Sequence, residues 1–136
     1  MNTENEIIID ANNAILGRLA SFAAKQALLG KKLTIVNCDE ASIAGKPRSI
    51  IKEYQEIRKK GGSGLQGPFF PRSPEKIVKR TIRGMLSYKQ CRGHDALKRI
   101  KCHNEIPEKY KDVKMIKAGK EKKIKTIRLK DLSKEI

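Results

Sequence analysis

The strongest constraint on the fold is a strand–helix–strand pattern at the start of the chain. Residues 7–9 are three consecutive isoleucines, and residues 33–38 form a second run rich in apolar and β-branched side chains. Between them, apolar residues recur at helical spacing over residues 14–29, and Gly30 suits a left-handed helix end. Continuous apolar strands joined by a crossover helix are typical of parallel sheets. The pattern predicts an α/β protein with buried parallel strands.

Residues that favour helix ends and turns predict the remaining elements. We expect Asn12 or Asn13 to cap the first helix, because its side chain can accept from a free backbone N–H, and Ser73 to cap a later one. Pro74 suits the first position of that later helix. Further helices are predicted after Lys46 and over 93–99, and short strands at 41–45, 100–103 and 126–129.

The positive charge is concentrated in the middle of the chain. Of 136 residues, 31 are Lys or Arg and 15 are Asp or Glu, which gives a net charge of +16. Residues 1–45 hold four basic and five acidic side chains, residues 46–101 hold sixteen and four, and residues 102–136 hold eleven and six. Such an excess repels itself in a compact state, and nucleic acid is the polyanion that usually offsets it. We therefore expect the first third to build the core and the middle third to bind nucleic acid.

A membrane or a secreted framework is the competing interpretation of this composition. A basic membrane binder typically has an amphipathic helix with large apolar residues, yet Trp is absent here. No apolar run approaches the roughly 20 residues of a membrane span. The three cysteines are an odd number, and no signal peptide is evident. These features predict a protein of the reducing cytoplasm that does not bind a membrane.

Two short patterns resemble chemical motifs without completing them. Gly45 and Lys46 precede a predicted helix, but a nucleotide-binding phosphate loop needs an earlier glycine, and residues 31–44 contain none. Cys91 and His94 have metal-ligand spacing, but the neighbouring pair at 102–103 would point to opposite faces of a strand. No carboxylate cluster or oriented nucleophile is evident. We expect no enzymatic activity, no cofactor, no metal and no small-molecule substrate.

The helix that begins at residue 74 carries a basic stripe. Lys76, Arg80 and Arg83 are spaced four and three apart, so they share one face, and Lys79 lies beside them. Glu75 is the only acid in this helix. A solvated face is the usual role of such a charge run, whereas a row of phosphates would turn the mutual repulsion into attraction. We favour phosphate binding.

A loop rich in glycine and proline precedes this helix. Its prolines stiffen the backbone that presents Arg72. Phe69 and Phe70 could stack on bases, which is worth about 1–3 kcal/mol per base, or they could fill the core. We expect one ring to point inward and one outward.

Five segments resemble, in register, the universal large-subunit ribosomal protein numbered thirteen. They are residues 8–21, 35–39, 67–74, 80–86 and 92–100. The Gly-Pro-Phe-x-Pro-Arg form and the short C-terminus are similar to the archaeal branch. The resemblance implies a three-layer α/β/α fold around a small, about four-stranded, mainly parallel sheet with basic loops. We predict a core domain over 1–107 and a lysine-rich C-terminal extension over 108–136 with a short terminal strand and helix.

The resemblance also implies a function. The implied function is that of a structural constituent of the large ribosomal subunit, which binds large-subunit rRNA, contacts other large-subunit ribosomal proteins and supports early subunit assembly. A free regulatory RNA-binding protein outside the ribosome is the alternative. The candidate RNA-binding residues are Arg18, Lys25, Lys46, Arg48, Arg58, Lys59, Lys60, Phe69, Arg72, Lys76, Lys79, Arg80, Arg83, Lys89 and Arg92.

Overall fold

The chain forms a small α/β structure whose elements alternate along the sequence. The computed structural model describes residues 6–59, 71–110, 115–117 and 125–135. In chain order the strands and α-helices are β1 (Glu6–Asp10), α1 (Leu16–Leu28), β2 (Lys32–Val36), β3 (Ser42–Ala44), α2 (Pro47–Lys59), α3 (Pro74–Met85), α4 (Cys91–Lys98), β4 (Ile100–Cys102), β5 (Ile116–Lys117), β6 (Thr126–Arg128) and α5 (Leu129–Glu135). Short 3₁₀ turns cover Cys38–Glu40 and Glu108–Tyr110.

The main sheet has four strands in the order β4-β2-β1-β5, and all of its pairings are parallel. Ile9 of β1 lies beside Ile35 of β2, and Ile35 in turn lies beside Cys102 of β4. The predicted α/β fold class with a small parallel sheet is therefore confirmed. The strand predicted near 41–45 is present as β3, but it pairs antiparallel with β6 in a separate two-stranded sheet.

One face of the main sheet packs against the helices. Ile9, Leu33, Ile35 and Ile100 alternate along their strands onto this face and join one core cluster with the buried side chains of α1 and α3. Helix α1 packs against both α3 and α4. This packing matters for function because it fixes α3, the basic helix, on the same scaffold as the sheet.

The start of α1 differs from the predicted Asn cap. The helix begins at Leu16 with Ile15 in the N-cap position, and no side chain of the described residues caps it. Asn13 instead adopts a left-handed conformation, with φ of 60°, and its N–H donates to the carbonyl of Glu40 at 3.1 Å. The reason is tertiary: the chain must turn here so that the Ala14 carbonyl can accept from the N–H of Ser42 at 2.8 Å.

The cap of α3 also comes from a distant residue. Ser73 occupies the predicted N-cap position and Pro74 the first helical position, but the Ser73 side chain makes no capping hydrogen bond within the described structure. The side-chain oxygen of Asn104 accepts from the N–H of Glu75 at 3.1 Å. The segment after β4 therefore satisfies a backbone donor of α3 that local sequence reasoning assigned to Ser73.

The predicted terminal strand and helix are confirmed as β6 and α5. Leu129 and Leu132 are fully buried in the core cluster, and the N–H of Leu129 donates to the carbonyl of Ala41 at 2.9 Å. The boundary between residues 107 and 108 stays a prediction. These contacts indicate that the two predicted parts share one core.

An ionic cluster ties this terminal segment to the turn after β2. The Glu40 carboxylate accepts from Lys130 Nζ at 2.9 Å and also binds the guanidinium of Arg128. The hydrogen bond from Lys130, together with the charges of Lys130 and Arg128, lowers the pKa of Glu40 below its usual value. Arg128 also donates to the side-chain oxygen of Asn13, so the cluster reaches the turn before α1.

We expect the Glu40 ion pairs to make stability depend on pH. Because the pKa of Glu40 is lowered from its usual value of 4.5, their contribution is present above that value and is lost as the pH falls through the lowered pKa. Glu40→Gln should reduce the free energy of unfolding at neutral pH by less than about 1 kcal/mol, since the pair is partly exposed. Urea titrations of both proteins should show this difference shrinking well below pH 4.5. A difference that stays constant across the pH range would contradict the ionic origin.

Candidate nucleic-acid interface

Helix α3 has an apolar side and a basic side. Ile77, Val78 and Ile82 are buried in the core cluster. Lys76 and Lys79 are exposed on the other side of the helix. Burial of the apolar side sets the rotation of the helix, and this rotation in turn determines where the cations lie.

The four cations of α3 line one shallow groove. Lys76, Lys79, Arg80 and Arg83 surround a concavity of about 270 Å³, which Pro71 and, from α4, Leu97 complete. The prediction that these cations share a face is confirmed. None of the described residues that line the groove is acidic. We call this concavity the α3–α4 groove.

An aromatic ring supports one end of the basic row. The guanidinium carbon of Arg83 lies 4.7 Å from the centroid of the Tyr88 ring, a distance typical of a cation–π contact. Such a contact restricts the orientation of the guanidinium plane. Sequence reasoning missed Tyr88, because a tyrosine five residues beyond an arginine and past the helix end gives no periodic signal.

The other predicted residues lie outside the α3–α4 groove. Arg72 is exposed directly after Pro71, which places it at the groove's edge. The remaining cations with described side chains are exposed on other elements: Arg18 and Lys25 on α1, Lys46 and Arg48 around the start of α2, Lys59 at its end, Lys89 in the turn before α4, and Arg92 in the first turn of α4. The Arg58 side chain, Lys60 and Phe69 lie outside what the structure describes.

The structure also contains a second basic concavity, which the sequence did not predict. A cavity of about 290 Å³ is lined by cations from β2, α4 and β4 together with Glu6 and Tyr110. Its cations are Lys32, Lys98, Arg99 and Lys101. The Arg99 guanidinium also donates to the carbonyl of Ala27 at 2.9 Å, which anchors it to the end of α1. Only the parallel pairing of β2 with β4 assembles this set.

Two of the described cysteines lie close together, Cys38 buried and Cys102 partly buried. A hydrogen bond with Cys102, together with burial, raises the pKa of the Cys38 thiol far above its usual value. The Cys38 thiol also lies 3.7 Å from the carbonyl oxygen of Ile35, to which it donates. Among the residues with described positions, no group of three or more His, Cys, Asp or Glu side chains is arranged to hold a metal. No helix in the described part of the chain is both long enough and apolar enough to cross a membrane.

Together, the fold and its surface define a small α/β protein in which the basic helix α3 is packed into the core. A family model described as "Ribosomal protein L13" matches residues 4–109. The chain is 49% identical over 110 residues to the large ribosomal subunit protein uL13 of Methanosarcina barkeri, which covers 80% of this chain and 78% of that protein. It is 39% identical over 132 residues to the protein of the same name from Thermoplasma volcanium, covering 95% and 96%.

The chain belongs to the ribosomal protein L13 family. The resemblance found in the five sequence segments, including its archaeal character, is thereby confirmed. Because this is a family of ribosomal proteins rather than enzymes, membership also supports the expectation that the chain catalyses no reaction of its own.

Proposed function

We propose that this protein is a structural constituent of the large ribosomal subunit that binds large-subunit rRNA and supports early subunit assembly. One observation carries the RNA-binding part: four cations of a core-anchored helix line a single groove to which no described acid contributes. The name of the relatives, large ribosomal subunit protein uL13, supplies the ribosomal context.

Electrostatics supplies the binding energy in this proposal. Each cation that neutralises a phosphate releases condensed counterions, so affinity falls linearly with the logarithm of salt concentration. Arginine adds planar hydrogen bonding to phosphates and 2′-hydroxyls and can stack on unpaired bases. The sheet and its packed helices hold these groups at fixed separations, which lets a structured RNA be recognised by shape.

The α3–α4 groove is proposed as the centre of a wider RNA-binding surface. The further predicted cations on α1, α2 and α4 and the predicted contacts at Arg58, Lys60 and Phe69 would extend it. Neighbouring large-subunit proteins would contact the remaining surface. In this proposal the protein binds nascent rRNA as a preformed unit, since its main sheet and helices share one apolar core, and it stabilises the folded RNA during early assembly.

Substitution of the two exposed lysines of α3 tests the proposal. We expect Lys76→Ala with Lys79→Ala to leave the fold intact and to flatten the dependence of log affinity on log salt by about 2, since each lost phosphate contact removes about 0.9. The measurement is a filter-binding titration with deproteinised large-subunit rRNA over a range of salt concentrations. Arg80 and Arg83 are half-buried, so their substitution would be a less clean test.

Two exposed lysines elsewhere provide the matched control. Lys52→Ala with Lys134→Ala, on α2 and α5, changes the net charge equally. An α3 variant whose slope equals that of this control would exclude α3 as a contact. Sedimentation of large subunits through a high-salt gradient tests the ribosomal part, because an integral constituent stays bound. A protein that stays at the top of the gradient while still binding RNA would instead be a free regulatory RNA-binding protein.

A further inference from the structure

We infer that the α3–α4 groove takes one unstacked nucleotide of RNA, with its base on the apolar floor and its phosphate among the cations. The inference rests on the proposed function, because it names what a single groove of the RNA-binding surface recognises. It goes beyond that function, since neutralisation of phosphates alone needs no cavity.

The size of the groove favours one heterocycle over a duplex. Its volume of about 270 Å³ lies just below the roughly 300 Å³ at which small-molecule pockets begin. A base that remains stacked in a helix could not enter such a concavity. A nucleotide splayed from a loop or bulge could, and single-stranded positions of this kind are the usual targets of specific RNA recognition.

The chemistry of the lining favours a group that is apolar at one end and anionic at the other. Pro71 and Leu97 provide apolar surface, and the lysine and arginine side chains contribute aliphatic stems below their charged heads. An isolated phosphate would gain little from that floor, and an uncharged apolar ligand would gain little from four cations. A nucleotide uses both.

The orientation of Arg83 adds a planar surface to the groove. Its guanidinium is held against the Tyr88 ring at 4.7 Å, and Arg83 itself lines the cavity. An arginine plane whose orientation is already restricted loses less entropy when it stacks on a base. Tyr88 therefore acts here as a positioning residue for Arg83.

The rival occupant is the chain itself. Phe69 and Phe70 precede Pro71 directly in the sequence and lie outside the described residues. If a phenyl ring filled the groove, the apolar floor would be explained without RNA. The charge of the lining argues for the nucleotide, since a phenyl ring carries no anion to offset the four cations.

Methyl NMR of the full-length protein tests the occupant directly. We expect adenosine monophosphate to shift the Leu97 methyl resonances, and we expect neither ribose 5-phosphate nor inorganic phosphate to do so. Equal shifts from all three probes, or none from any, would overturn the inference. It would also be overturned if Phe69→Ala with Phe70→Ala moved the Leu97 methyl resonances in the absence of ligand, because a ring would then occupy the groove.

RNA titrations separate the base contact from the phosphate contacts. We expect Leu97→Ala to weaken binding of large-subunit rRNA about tenfold, near the lower end of the loss when one stacked base is lost, without changing the salt slope. Lys79→Ala should instead flatten the dependence of log affinity on log salt by about 1. Leu29→Ala is the matched control, because Leu29 is 65% exposed and lies outside the groove. The melting temperature of each variant reports whether Leu97→Ala is folded.

The two proposals fail in different ways. If the wild-type protein bound rRNA without a steep salt dependence, the proposed function would fail. If it bound as expected but Leu97→Ala behaved like Leu29→Ala, only the inference that the α3–α4 groove takes a nucleotide would be wrong. Should Leu97→Ala not fold, the NMR titration of the wild-type protein still decides the question.

Discussion

Gly93→Ala is expected to destabilise the protein by about 3 kcal/mol or more, at the upper end of the cost of overpacking a core. Gly93 is buried in the first turn of α4. A Cβ atom there would lie 2.1 Å from the carbonyl oxygen of Ser87 and 2.3 Å from its carbonyl carbon. Both atoms are backbone, and the same oxygen accepts from the N–H of Gln90, so this turn cannot yield without losing a hydrogen bond.

The same substitution in α3 provides the control. Gly84 is exposed within the helix, and a Cβ atom there would meet nothing within 4 Å. Gly84→Ala should therefore raise the free energy of unfolding by roughly 0.5–1 kcal/mol through helix propensity. Urea unfolding followed by circular dichroism measures both variants. Similar effects of the two substitutions would show that α4 does not pack as closely on the 86–90 turn as described.

Leu132→Ala is expected to cost about 2–5 kcal/mol, the usual range for a leucine deleted from a core. Leu132 is fully buried although it lies near the end of the sequence, on a helix of only seven residues. Helix α5 packs against α3 and the Cys38–Glu40 turn, so a cavity at Leu132 would loosen the support of the basic helix. Thermal and urea unfolding should show one cooperative transition at lower stability.

The exposed Lys134 on the same helix is the matched position. Lys134→Ala should change stability by less than about 0.5 kcal/mol, as is usual for surface sites. The comparison also tests the predicted boundary at residue 107. If Leu132→Ala left the main transition unchanged and removed only a minor early one, residues 108–136 would unfold as a separate unit.

Three strands of the main sheet, β1, β2 and β4, were predictable because their signal is local, whereas β5 was not predicted and joins the sheet by pairing with β1. An isoleucine run such as 7–9 is incompatible with an exposed strand, and the helical spacing that follows leaves few alternatives to a parallel pair with a crossover. The basic stripe of α3 was equally predictable, since i, i+3 and i+4 spacing determines a shared face on any helix. Family membership could likewise be inferred from five short segments in register.

The capping residues and the second sheet were not predictable in this way. Asn13 is a good capping residue in isolation, yet the contact between the Ala14 and Ser42 backbones displaces the helix start past it. The capping hydrogen bond expected from Ser73 is made instead by Asn104, which follows three further elements, α3, α4 and β4, along the chain. The pairing of β3 with β6 joins segments more than 80 residues apart, and each is only three residues long. Local propensity carries almost no information about such partners.

The sequence by itself determined the α/β class, the order of the main elements, the excess of positive charge and its grouping on α3. These properties follow from periodicities and counts that hold whatever the rest of the chain does. Only the tertiary structure decided that Leu97 closes a groove over the α3 cations, that Tyr88 orients Arg83, and that cations from three elements meet in a second cavity. The physical reason is that a site is defined by distances between elements, and packing of the shared core sets those distances.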